Sequence, residues 1–184
     1  HIIFHLPYAF HGRRMIFNNW LNWIKKDITY KDLLAEIGQE DDELFTKKAY
    51  KSDIYKNFIT SKIAPGEKAS SSIGNMYSAS VFMSLLSMLN YHFDNDTEIK
   101  NQKVGFISYG SGSKAKIFQG EIQTNWKEKI KTSKLFESLN KRKEISFDEY
   151  QDLHKSKKIS PLSNHSIRFS HTDDSINSKG YRRY

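Results

Sequence analysis

Gly74-Asn75-Met76-Tyr77-Ser78-Ala79-Ser80 opens the most apolar segment of the chain, and its reading decides the fold. From there Met76 to Leu89 runs apolar on nearly every side through Val81, Phe82, Met83, Leu85, Leu86, Met88 and Leu89, with no Gly, Pro or charge. That length predicts a helix rather than a strand, and apolarity all round predicts burial between layers. Tyr77, Ser80, Ser84 and Ser87 recur at helical spacing as a small, weakly polar stripe that lets another backbone come close. Asn75 falls where an N-cap belongs, at the helix end whose N–H groups are free. Further on, Ser108-Tyr109-Gly110-Ser111-Gly112-Ser113 reads as a tight turn between strands Lys103–Tyr109 and Ala115–Gln123, with Gly110 and Gly112 supplying positive φ. Both stretches set backbone amides and small residues where a bulky side chain would block approach. That suits hydrogen-bond donation to a small reacting group.

Outward from this frame, Ile2 to His5 predicts a buried strand ended by Leu6-Pro7, because proline drives its neighbour out of helical space. Tyr8 to about Lys26 turns helical, with Met15, Ile16, Trp20, Trp23 and Ile24 on one face and Arg13-Arg14 near its first turns. Thr29 to Gln39 predicts a short helix closed by Gly38. Asp41 to Glu43 begins another that runs through Tyr50, Tyr55 and Phe58 until Ala64-Pro65-Gly66-Glu67 ends it, and Ser70-Ser71-Ser72 leads into Gly74. Beyond the hairpin, Trp126 to Asn140 is helical. Ser146-Phe147-Asp148-Glu149 starts a further helix, Lys155 to Ser163 is a basic loop, and Ser166–Phe169 and Gly180–Tyr184 read as short strands. Mixed helices and strands predict an α/β fold.

The chain has 184 residues, enough for one ordinary core, and its 12 Phe, 10 Tyr and 3 Trp supply ample packing area. With no Cys, disulfides, thiolate metal sites and a Cys nucleophile within this chain are excluded. The net charge of +8 points to an anionic partner such as phosphate groups, nucleic acid or an acidic carrier protein. The excess is mostly dispersed Lys, however, and no nucleic-acid motif accompanies it. No signal peptide or membrane span is read, so a cytoplasmic location is expected. His1-Ile2-Ile3-Phe4-His5 starts inside a strand-like run without Met, as though cut from something longer.

His5 at a strand end, Asn75 at a helix start and Ser111 in a glycine turn are the candidate catalytic residues. Singly, each has a plainer structural explanation: a satisfied core histidine, a helix cap, a hairpin. His165 and His171 lack a third ligand nearby, so no metal site is expected, and the Glu40-Asp41-Asp42-Glu43 run reads as a solvated helix start.

Phe4-His5-Leu6-Pro7-Tyr8, Gly74-Asn75-Met76-Tyr77-Ser78-Ala79-Ser80 and Phe106-Ile107-Ser108-Tyr109-Gly110-Ser111-Gly112-Ser113 together resemble the three signature blocks of the hydroxymethylglutaryl-CoA synthase family. Their order and spacing are those of that family's C-terminal half, over essentially the whole chain and most weakly at about Thr29–Lys47 and after Lys155. The resemblance implies a thiolase-like fold, here the C-terminal half of two stacked α/β halves: a mixed sheet with a buried helix and helices packed on it. Residues 1–184 would form that one domain, with the half carrying the catalytic cysteine absent. The implied reaction is a Claisen-type condensation of acetyl-CoA with acetoacetyl-CoA, as in the mevalonate route, without a cofactor.

By the same resemblance, His5 would donate to the substrate's carbonyl oxygen, where one donor is worth ~3 kcal/mol of barrier. Asn75 would orient the acyl group, and Ser111 or its backbone N–H would bind a carbonyl or carboxylate. Pro7 and Tyr8 would shape the entrance. Tyr77, Gly110 and Gly112 would line the substrate site, and Arg13 and Arg14 would meet CoA phosphates. Where the family commonly has a lysine that meets CoA, this chain has Phe10. Expected partners are CoA thioesters, the missing N-terminal half and, once full length, a second copy. An alternative acceptor is an acyl carrier protein, as in polyketide β-branching, and a rival of another class is a basic nucleic-acid-binding module. Alone the chain is expected to be inactive. Faces of Ile2–His5 and Met76–Leu89 that met the other half should be exposed or self-associated.

Overall fold

A computed structural model of the chain describes residues 1–6, 8–39, 44–110, 114–155, 157, 171–172 and 182–183. The chain divides into two units, His1–Arg142 and Lys143–Tyr184.

The first unit is built on a short strand. β1 (Ile2–Phe4) leads into helices α1 (His11–Ile24), α2 (Thr29–Ile37), α3 (Phe45–Lys51), α4 (Asp53–Lys62), α5 (Ala64–Ile73) and α6 (Ala79–Asp94). Strands β2 (Lys103–Gly110) and β3 (Lys114–Glu121) follow, then short helices α7 (Trp126–Ile130) and α8 (Leu135–Asn140). The sheet order is β1-β2-β3, with β1 parallel to β2 in the register Ile3↔Phe106 and Phe4↔Ile107. β2 and β3 are antiparallel from Lys103↔Glu121 to Gly110↔Lys114.

Strand alternation sends successive side chains to opposite faces, and this sorts the core into two clusters. Phe4 packs with Ile16, Phe17, Trp20, Leu33, Tyr55 and Ile59, beside the partly buried Ile2 and Ile107. Ile3 packs on the other face with Val81, Met88, Val104, Phe106 and Trp126. The sheet therefore lies between α1–α4 and α6–α7, the α/β arrangement of a mixed sheet with a buried helix and helices packed on it.

Close approaches explain the small residues. Ser80, Ser84 and Ser87 are all buried, forming the stripe read from the sequence. Ser87 Oγ donates to the Pro65 carbonyl at 2.7 Å and accepts from the Ala69 N–H at 3.1 Å, which locks α6 against α5. A Cβ on Gly12 would stand 2.6 Å from the Phe4 ring, so only glycine lets α1 come this close to β1.

Several expectations are corrected. Ala64-Pro65-Gly66-Glu67 opens α5 instead of ending a helix, and that helix runs on through Ser70–Ser72 to Ile73. Proline's missing N–H is tolerated in a first turn, where amides have no helical partner. The helix read through Tyr50 and Phe58 is two, broken at Ser52, whose Oγ caps α4 by accepting from Tyr55 N–H at 3.1 Å. Trp126–Asn140 is likewise two, α7 and α8, because Lys134 adopts a left-handed φ of 44°. The buried helix starts at Ala79, not Met76, and is not buried all round: Phe82 is 69% exposed, while Tyr77 precedes the helix and is off the serine stripe. Of the Ile2–His5 run, Ile3 and Phe4 are covered within the chain, while Ile2 and His5 stay partly exposed.

In the second unit, α9 (Phe147–His154) begins with the capping box read from the sequence, Ser146 Oγ accepting from Glu149 N–H and the Glu149 carboxylate from Ser146 N–H. β4 (His171–Thr172) pairs antiparallel with β5 (Arg182–Arg183). The Glu40–Glu43 run, the basic loop apart from 155 and 157, His165 and the strand read at Ser166–Phe169 lie outside the described residues, as do Gly180, Tyr181 and Tyr184.

Candidate active site

Because β1 and β2 are parallel, the residue after β1 and the last residues of β2 share one end of the sheet. The His5 N–H donates to the Ile107 carbonyl at 2.9 Å, carrying the ladder one step past Phe4. This sets the imidazole beside Tyr109, ring centroids 6.3 Å apart at 67°. His5 Nδ1 is buried and has no hydrogen-bond partner among the described residues. A buried polar nitrogen without a partner is uncommon in folded chains, and it is a group available to a ligand.

The start of α6 is tied to the same end. Ser80 Oγ accepts from the Leu6 N–H at 3.1 Å, and Ser84 Oγ reaches the Phe4 carbonyl at 3.5 Å. The loop carrying Asn75 is therefore five residues before a helix turn fastened directly behind His5. Within that loop Gly74 ends α5 at φ 93° and Tyr77 is left-handed at φ 50°. Asn75 does not cap α6, contrary to the expectation. Its Oδ1 accepts from the Tyr77 N–H at 2.8 Å, a local turn that holds the carboxamide before the helix begins. The first helical amides are met by turn carbonyls: Ala79 N–H by Met76 and Ser80 N–H by Tyr77.

The other predicted residues divide. Gly110 is the last residue of β2, paired with Lys114. Ser111, Gly112 and Pro7 lie outside the described residues. Tyr8 and Tyr77 are largely exposed. Arg14, in the first turn of α1, is exposed, and no ion pair engages it among the described residues. Arg13 is engaged: its Nε donates to Glu67 Oε2 at 2.7 Å, its guanidinium lies 4.5 Å from the Phe10 ring centre, and its carbonyl accepts from the Tyr55 hydroxyl. Glu67 is 2% exposed, with Oε1 unpartnered. Burial pushes the Glu67 carboxyl above its ordinary value, opposed by the hydrogen bond and charge of Arg13. Burial likewise raises the Tyr55 hydroxyl, keeping it a neutral donor.

The Arg13–Glu67 pair was not found from the sequence. Its partners are 54 residues apart, and the only local hint is an acid in the first turn after a proline. The Ser80 contact to Leu6 was equally hidden, although the serine spacing marked that face of the helix.

This arrangement sets an unpartnered histidine nitrogen and the last residues of β2 at the carboxyl ends of two parallel strands, with α6 fastened there through Ser80. Open α/β sheets bind ligands at that edge. Among the described residues no group of three or more His, Cys, Asp or Glu could hold a metal ion, and no helix is long and apolar enough to cross a membrane.

The family model described as hydroxymethylglutaryl-coenzyme A synthase C terminal matches residues 1–181. The hydroxymethylglutaryl-CoA synthase of Haloferax volcanii is 27% identical over 168 residues, covering 84% of this chain and 38% of the relative. That of Saccharomyces cerevisiae is 29% identical over 143 residues, 72% of this chain and 29% of the relative. Among solved structures, MvaS in complex with 3-hydroxy-3-methylglutaryl coenzyme A superposes with a TM-score of 0.62 at 23% identity, covering 94% of this chain and 39% of that one. The curacin-pathway HMG synthase in complex with its acetyl donor-ACP gives 0.60 at 20% identity, covering 85% and 32%. The fold is thus the thiolase-like fold of those synthases, and this chain spans between 29% and 39% of the length of these matched proteins.

Proposed function

Since the chain belongs to the hydroxymethylglutaryl-CoA synthase family through its C-terminal part, we propose that it is the acceptor-binding portion of a Claisen-type condensing enzyme. That enzyme joins an acetyl group to acetoacetyl-CoA, in the cytoplasm and on the mevalonate route. The observation that carries this reading is the unpartnered, buried His5 Nδ1 at the shared end of β1 and β2.

In this mechanism an acetyl carbanion, formed on a cysteine supplied from outside this chain, attacks the ketone carbon of acetoacetyl-CoA. A carbon–carbon bond forms, and the electron pair of the C=O moves onto oxygen. His5 donates a hydrogen bond to that oxygen as its charge grows, in a site already partly withdrawn from water. Asn75, whose oxygen the Tyr77 N–H holds, polarises the acyl group through its amide nitrogen. Ser111 binds a second carbonyl or carboxylate oxygen, with Gly110, Gly112, Pro7, Tyr8 and Tyr77 shaping the cavity. Arg14 takes a CoA phosphate, whereas Arg13, already bound to Glu67, holds the start of α1 in place. The chain contains no Cys, so the nucleophile lies outside it; by the family resemblance that cysteine and the base that forms the carbanion would belong to an N-terminal half, and the whole would be a homodimer.

Full-length enzyme carrying His5→Ala or Asn75→Ala is expected to lose turnover of acetoacetyl-CoA about 10²–10³-fold with little change in stability. The 184-residue chain alone should give none. Turnover by the isolated chain, or an unaltered rate for His5→Ala, defeats the reading.

Phe10 favours a second acceptor. It is 51% exposed under the Arg13 guanidinium, at the position where the family resemblance leads one to expect a CoA-binding lysine. An acceptor on an acyl carrier protein, as in polyketide β-branching, would not need that lysine. Comparing acetoacetyl-CoA with an acetoacetyl carrier protein as substrates of the full-length enzyme separates the two, and indifference to the CoA substrate would favour the second.

A further inference from the structure

The His5 imidazole is aimed by its backbone. Its Nδ1 has no hydrogen-bond partner among the described residues, and Tyr109 meets the ring only edge-on, with centroids 6.3 Å apart. For a side chain without a tether, the two peptide planes that flank the residue set the direction of the Cα–Cβ bond. The plane before His5 is held by its own N–H, which donates to the Ile107 carbonyl at 2.9 Å. The plane after it is held by the Leu6 N–H, which donates to Ser80 Oγ at 3.1 Å. Leu6 and Ser80 are both buried, so this second bond is shielded from solvent.

The same serine reaches the Asn75 loop. Its N–H donates to the Tyr77 carbonyl at 3.0 Å, and the Tyr77 N–H donates to Asn75 Oδ1 at 2.8 Å. Tyr77 is left-handed at φ 50°, a backbone that a bulky residue rarely keeps unless its neighbours hold it. Three hydrogen bonds thus run from Leu6 through Ser80 and Tyr77 to Asn75. The other buried serines of α6 bond elsewhere: Ser84 Oγ reaches the Phe4 carbonyl at 3.5 Å, and Ser87 bonds Pro65 and Ala69 of α5. Among the described residues, only Ser80 of the three joins the His5 segment to the Asn75 loop.

We propose that Ser80 is a positioning residue, its hydroxyl and its amide fixing the His5 imidazole and the Asn75 carboxamide relative to one another. The inference rests on the function proposed above and adds to it a residue that acts through its neighbours. Alanine would fit the same space but offers the Leu6 N–H no acceptor. That peptide plane must then turn to find one, because a buried donor left unpaired is costly, and the His5 side chain turns with it. A misplacement of about 1 Å can cost on the order of 10²-fold in rate.

The test uses the full-length enzyme with acetoacetyl-CoA. Ser80→Ala is compared with Ser87→Ala, which also removes a buried hydroxyl of α6, but one bonded to α5. Ser80→Ala should lower kcat about 10–100-fold with KM changed by less than about threefold, and Ser87→Ala should leave kcat within about twofold. Once the donor is gone its aim no longer matters, so adding Ser80→Ala to His5→Ala should cost almost nothing more. A merely structural serine would cost the same factor in both backgrounds. NMR of histidine-labelled enzyme gives a readout independent of turnover: the His5 imidazole resonances should move in Ser80→Ala and stay in place in Ser87→Ala. Should the alanine variant fail to fold, Ser80→Cys, close in size but a weak acceptor, repeats each measurement. Unmoved His5 resonances, an equal loss of kcat in Ser87→Ala, or full additivity with His5→Ala overturns the proposal. So does an unchanged kcat in Ser80→Ala while His5→Ala is impaired. Moved resonances with kcat unchanged in both Ser80→Ala and His5→Ala would uphold the placement of the ring by Ser80 and defeat instead the reading of His5 as the donor.

Discussion

At the scale of single residues, Gly12 and Glu67 are positions where one atom decides an outcome. Gly12→Ala would place a methyl group 2.6 Å from Phe4 Cδ2, and α1 or β1 must move to admit it. The expected loss is about 1–3 kcal/mol in urea unfolding, the usual result of overpacking a dense core, and Phe4→Leu in the same chain should recover part of it. Glu67 acts through charge. Its folded carboxyl titrates above the ordinary 4.5, because burial outweighs the opposing contribution of Arg13. The folded state therefore holds the proton more tightly than the unfolded one, so this residue's stabilising contribution is complete below about that ordinary value and is lost as pH rises through the folded value. Glu67→Gln keeps an acceptor for Arg13 Nε but cannot ionise. Urea midpoints followed upward from pH 4.5 should decline less in this variant than in the parent, and equal slopes would contradict the burial argument.

At the scale of elements, the contact of α5 with α6 rests on buried hydroxyls more than on apolar bulk. Ser87 bonds both the Pro65 carbonyl and the Ala69 N–H, across two helices. Ser87→Ala removes both bonds, but Pro65 and Ala69 are i and i+4 of α5 and can satisfy each other, so a loss of only about 0.5–1.5 kcal/mol in thermal or urea unfolding is expected. Since the same helix fastens Leu6 through Ser80, its small side chains tie the helix pair to the end of β1 that carries His5. The serine spacing was legible from the chain because it is a local, helical pattern, and the Ser146 capping box was legible for the same reason. The breaks at Ser52 and Lys134 were not, because apolar residues continue at helical spacing across both. Nor could the role of Asn75 be read correctly, since a cap and a turn use the same side chain one step apart. Of the candidate site, the order of the His, Asn and glycine-turn blocks was readable. The shared sheet end follows only from the parallel pairing of β1 with β2, and the Arg13–Glu67 pair joins residues that no local pattern connects.

For the first unit as a whole, the pairing of β1 with β2 has a kinetic side. Ile3 meets Phe106 only after roughly a hundred intervening residues have been gathered in, and long loop closure is slow relative to a hairpin whose strands are neighbours in sequence. In pulsed hydrogen exchange during refolding, amides of the β2–β3 ladder, such as Phe106 and Phe118, should gain protection before those of His5 and Gly105, which bond across to Ile107 and His1. Simultaneous protection would show that the strand docks with the hairpin rather than after it. On that order of events the His5 imidazole would be placed beside Tyr109 only after the hairpin has formed. If His5 plays the role proposed for it, a partly unfolded full-length enzyme would carry the hairpin while lacking a competent acyl-binding end, so its loss of turnover should precede loss of most secondary structure on warming.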